Sequence, residues 1–124
     1  MKLVHKSGSI ICNSTDNASY WGCTKESNYG KNGLTTIITN AEKKVILPPA
    51  GDLKAPNLGC GDKNHFYSLS GTTHTSPELV FGDLTNKVSV SRNQELQIWH
   101  GQDWIDCEDD NNGTTCVDVY VWYA

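Results

Sequence analysis

No stretch of this 124-residue chain repeats its apolar side chains at helical spacing, and that absence constrains the fold more than any other feature. What the chain offers instead is a series of short runs rich in β-branched and aromatic residues, punctuated by turn formers. Gly8–Cys12, Leu34–Thr39, Lys43–Leu47, His65–Ser70, Glu78–Phe81, Lys87–Ser91, Glu95–His100 and Thr115–Tyr123 read as strands, and Tyr20-Trp21-Gly22-Cys23 begins another. Between them lie Asn32-Gly33, suited to a hairpin because both residues accept positive φ, Asn40-Ala41, Arg92-Asn93, and Pro48-Pro49, which removes two backbone donors. The expectation is an all-β fold: a small single-domain β-sandwich over residues 1–124, with about eight short antiparallel strands stabilised by disulfides. Alternation along the last strand puts Val117, Val119, Val121 and Tyr123 on one face and Cys116, Asp118, Tyr120 and Trp122 on the other. Trp99 and Tyr123 are therefore expected in the core.

Five cysteines, Cys12, Cys23, Cys60, Cys107 and Cys116, lack the paired spacing of zinc sites. They read as a disulfide framework of a secreted protein, with Cys12 near Cys23 and with Cys107 and Cys116 bracketing an acidic turn; five being odd, one thiol is left free, bonded to a partner chain, or missing a mate that lies in a truncated segment. The sequons at Asn13, Asn17 and Asn112 agree weakly with secretion. No signal peptide or membrane-length apolar run is present, so Met1 before Lys2 reads as a new start placed ahead of a mature chain.

Charge is unevenly spread. Residues 1–92 carry ten basic against seven acidic side chains, whereas residues 93–124 carry seven acids and no Lys or Arg. The overall charge of -4 argues against a nucleic-acid partner, which needs a basic face to neutralise phosphates. A cation would relieve the repulsion in the last third.

Within that third, Gln102-Asp103-Trp104-Ile105-Asp106-Cys107-Glu108-Asp109-Asp110-Asn111-Asn112-Gly113 packs oxygen ligands at a density suited to Ca2+, which accepts carboxylates, amide carbonyls and backbone in irregular geometry. Glu108, Asp110 and Asn112 alternate and a glycine follows, matching the front half of a known Ca2+ loop, but Val119 stands where the closing acid belongs. Asp103 and Asp118 are the nearest residues to complete the shell. The plain alternative is a solvated acidic turn. The metal is favoured because Asp118 lies inside an apolar strand, cysteines bracket the turn, and no basic residue lies nearby in sequence. The expected Ca2+ ligands are Asp103, Glu108, Asp110, Asn111 and Asp118.

Aromatic residues crowd the same region. A sugar ring stacks its C–H face on Trp or Tyr, and its vicinal hydroxyls can replace water on Ca2+. Trp104 is the expected stacking residue, His100 a hydrogen-bonding partner, and Gln102, Asp109 and Asn112 further ligand contacts.

The segments Gln94–Asp103, Glu108–Gly113 and Cys116–Tyr120 resemble the closing part of marine-invertebrate extracellular domains, among them the Ca2+-dependent galactose-binding lectins of sea anemones. The resemblance covers the last third, reaching back toward Ser76–Asp83. It implies a β-sandwich lectin whose Ca2+ is coordinated directly by sugar hydroxyls, with Gln102, Asp103, Glu108, Asp110, Asn111 and Asp118 at the matching polar positions. The C-type lectin triplets Glu-Pro-Asn and Gln-Pro-Asp are absent.

Three functions compete. The leading one is a secreted, oligomeric, Ca2+-dependent lectin for glycans ending in galactose-type sugars. The second is an extracellular adhesive or structural module whose Ca2+ only stiffens a loop. The third, a glycosidase using a pair such as Asp103 and Asp110, is disfavoured because the acids crowd one loop with no nucleophile motif. A non-enzymatic binding protein is expected.

Overall fold

Pairing between the two ends of the chain organises the fold. The structure, a computed structural model, describes residues 1–25, 30–53, 66–82, 87–101 and 110–123. Strand β1 (Lys2–Ile11) is flanked on one side by β4 (Glu78–Val80) and on the other by β6 (Asn112–Tyr120). A second sheet sets β2 (Thr36–Asn40) between β3 (Val45–Leu47) and β5 (Leu96–His100). All pairings are antiparallel. Among the described residues the helical content is two short 3-10 turns, Gly30–Asn32 and Ala50–Asp52. The all-β, disulfide-stabilised fold expected from the sequence is therefore the one observed.

The β1–β6 ladder runs from Lys2 opposite Tyr120 to Ile11 opposite Asn112, with a register shift between His5 and Ser7. Gly8, paired with Thr115, also lies tightly against the Thr114 carbonyl. Gly8 has φ +78°, and a Cβ there would lie 1.9 Å from the Thr114 carbonyl oxygen. Gly71 shares that φ of +78° but has open space around it, so the pair separates backbone strain from collision. Gly71→Ala is expected to cost about 1 kcal/mol, the strain of a left-handed residue, and Gly8→Ala at least about twice that, read from urea unfolding midpoints.

The core unites the sheets. Leu3, Trp21, Leu34, Ile37, Ile38, Leu47, Tyr67, Leu79 and Phe81 are all buried in one cluster. Trp21 is held by polar bonds as well: its indole N–H donates to the Ser76 carbonyl at 2.7 Å, and its own carbonyl accepts from the Thr35 and Thr36 amides. The Tyr67 hydroxyl donates to the Thr36 carbonyl. Burial, aided by the negative charge of Asp52, pushes the Tyr67 phenol well above its usual value.

Several sequence expectations shift. β1 begins at Lys2 rather than Gly8 because it pairs along nearly its whole length with β6. Tyr20–Gly22 forms no strand; Ser19 bridges Ile10 instead. Asn32-Gly33 is not a hairpin turn, since Gly30–Asn32 winds into a 3-10 turn. Of the strand expected at His65–Ser70, the described part keeps one bridge, Tyr67 with Leu34. Lys87–Ser91 carries strand-like alternation but lies exposed outside both sheets. Trp99 packs against the core as expected. Tyr123, expected to do the same, is 80% exposed because it lies beyond the end of β6.

Candidate functional site

β5 ends at His100, and β6 begins at Asn112, where it pairs with the last residue of β1. This end of the sandwich therefore gathers both stems of the acidic segment. Gly101 donates its amide to the Thr35 carbonyl at 2.7 Å, which fixes the outgoing stem on β2.

His100 ties the stems together. Its Nε2 lies 3.0 Å from Asn111 Oδ1 and its Nδ1 lies 2.9 Å from the Thr35 hydroxyl. Because the Asn111 oxygen can only accept, Nε2 carries the proton and donates it, leaving Nδ1 to accept from Thr35. The imidazole thus bridges Thr35, the residue leading into β2, to the return stem of the loop. The hydrogen bonds seen at His100 are made to the protein side chains of Asn111 and Thr35, whereas the expected partner was a sugar hydroxyl.

Beneath the imidazole lies the Cys12–Cys23 disulfide, buried, with Cys12 Sγ 3.5 Å from His100 Nε2. The bridge agrees with the proximity expected of these two cysteines. Among the described residues, Cys12, Cys23 and His100 are the group whose donor atoms lie close enough together for a metal. The disulfide occupies both sulfurs, so this is packing rather than a metal centre. The loop between the two cysteines is organised by Asp16, whose carboxylate accepts from the Asn17, Thr24 and Lys25 amides and the Thr24 hydroxyl. Burial alone would raise the Asp16 pKa; these hydrogen bonds outweigh it and hold it below the usual value.

The remaining expected site residues separate into three groups. Asp110, Asn111 and Asn112 stand in sequence at the return stem; Asp110 and Asn112 are exposed, and Asp110 makes no ion pair among the described residues. Carboxylate and amide oxygens of this kind are hard donors and fit Ca2+. Asp118 is set apart from them, six residues farther along an extended strand. It is half-exposed and pairs with Lys6 at 3.2 Å, so its charge is met from β1. Gln102, Asp103, Trp104, Glu108 and Asp109 lie outside the described residues. Cys116 bears an exposed free thiol; Cys107, expected with it to bracket the acidic turn, lies outside the described residues. Sequence reasoning missed Thr35 and Lys6, whose contacts depend on strand register and leave no local signal.

No family model matches the sequence, and no curated protein matches it. Among solved structures, AJLec, a lectin of the sea anemone Anthopleura japonica, superposes with a TM-score of 0.72 at 30% identity, covering 94% of this chain and 74% of its own. The chain belongs to the family of this sea-anemone lectin. Membership in a lectin family supports a carbohydrate-binding role and a binding protein rather than an enzyme. No helix among the described residues is long and apolar enough to cross a membrane.

Proposed function

We propose that this protein is a secreted, Ca2+-dependent lectin that recognises galactose-type sugars through direct coordination of sugar hydroxyls to the ion. The observation that carries this reading is the likeness to the sea-anemone lectin along nearly the whole chain, joined to an oxygen-rich loop whose stems His100 draws together. Asp110 and Asn111, with Asp103 and Glu108, are the protein ligands in this reading. Two vicinal hydroxyls of the sugar complete the sphere, and Trp104 stacks on the ring's C–H face. Asp118 stays with Lys6 on β1.

Glycan-array binding is expected with Ca2+ and lost in EDTA. Binding that persists in a metal-depleted sample contradicts the mechanism. If Ca2+ raises the melting temperature while no glycan binds, the protein is instead a Ca2+-stiffened adhesive module.

A single site of this kind is weak, on the order of millimolar, because few contacts form and the hydroxyls it captures are already well hydrated. Avidity then requires more than one copy. The exposed Cys116 thiol supplies a covalent link in this reading. A non-reducing gel is expected to show a band of twice the chain mass that is absent in Cys116→Ser; an unlinked wild-type chain leaves any dimer to non-covalent contacts.

A further inference from the structure

Beside the His100 end of the site, a cleft of about 210 Å3 opens between the outer strands β5 and β6, and Tyr20, Thr36, Ile98, His100, Thr115 and Val117 help to line it. It begins where the acidic loop's stems meet, since His100 belongs to both cleft and clamp. Its walls are of mixed character: a phenol ring and two aliphatic side chains beside two hydroxyls and an imidazole.

Thr115 gives the cleft its chemical direction. It sits in β6 between Gly113 and Val117 on the same strand face and opposite Gly8, which has no side chain to meet it. Its hydroxyl oxygen is buried and has no hydrogen-bond partner among the described residues. Buried polar groups are almost always satisfied, so an unpartnered hydroxyl in the wall of a small cleft marks a place where a hydroxyl-bearing molecule is accommodated.

The cleft is smaller than the roughly 300–1,000 Å3 of sites for drug-sized ligands, which suits a single ring. A pyranose has both surfaces the walls call for: C–H groups for Ile98, Val117 and Tyr20, and equatorial hydroxyls for Thr115.

We propose that the β5–β6 cleft is a second subsite, taking the penultimate ring of a glycan whose terminal ring is held at the acidic loop. This rests on the sugar-binding reading above. It adds that the protein selects a disaccharide unit, with the loop choosing the end sugar and the cleft its neighbour.

Calorimetry in Ca2+ on the whole chain tests it, with galactose against lactose and mannose against mannobiose. Thr115→Val keeps the side chain's shape while removing the hydroxyl, and Ile98→Trp fills the cleft from the exposed edge strand; thermal melts establish that each variant is folded. In the wild type the disaccharide is expected to bind about tenfold more tightly than its terminal monosaccharide. Both variants should lose that advantage while monosaccharide affinity stays unchanged. A disaccharide that binds no better than the monosaccharide overturns the proposal, as does an advantage that survives in both variants. Equal losses for both sugars overturn it too, because they place Thr115 and Ile98 in the terminal-sugar site or the fold. If neither monosaccharide binds, the sugar-binding reading itself fails and the subsite falls with it.

Discussion

Replacing Trp21 by alanine is expected to remove about 3–5 kcal/mol of stability, enough to leave a domain of ordinary stability partly unfolded. Trp21 is 1% exposed in the cluster that joins the sheets, so truncation leaves a cavity whose walls belong to both layers. The indole N–H also leaves, stranding the Ser76 carbonyl it reaches at 2.7 Å. Its ring further braces the stacked His5 and Tyr20, whose centroids lie 3.5 Å apart. Denaturant unfolding followed by far-UV circular dichroism gives the difference directly. Trp21→Phe, which keeps most of the apolar volume but not the donor, is expected to recover more than half of the loss.

The second large effect is expected from removing the buried disulfide. Cys12→Ala with Cys23→Ala should cost about 2–5 kcal/mol, the range for native bridges in small domains. The bridge closes a loop of sequence separation 11, and both sulfurs are fully buried, so cavity formation adds to the greater freedom of the unfolded chain. The change also reaches the functional end, because Cys12 Sγ packs against the His100 nitrogen that holds Asn111. Ca2+ affinity should therefore fall in the double variant even under conditions where it stays folded. A double variant that melts within a degree or two of wild type would place the stability elsewhere.

Strand existence was more legible in the sequence than strand partnership. β-Branched residues located β2, and alternation located β5 and most of β6, because both signals are properties of each strand alone. Alternation misled at Lys87–Ser91, where the pattern is present but no described strand pairs with it, and at Tyr123, which was expected in the core but lies exposed past the end of the ladder. No basic residue lies near Asp118 in sequence, yet Lys6 meets it across a register that joins the two termini. At the site, the nearness of Cys12 and Cys23 was legible from the strands that carry them, though not their pairing, while most of the acidic segment read from ligand density lies outside the described residues. The clamp of Thr35, His100 and Asn111 was not, since it requires β2, β5 and the start of β6 to converge.

If sugar and Ca2+ bind together, calorimetric titration of galactose and mannose, each with and without Ca2+, will show it. Heat of binding is expected for galactose in Ca2+ with a dissociation constant on the order of millimolar, with weaker binding of mannose and none for either sugar once the metal is removed. Galactose binding of equal strength in metal-free protein would contradict joint binding, as would an absence of sugar binding in saturating Ca2+.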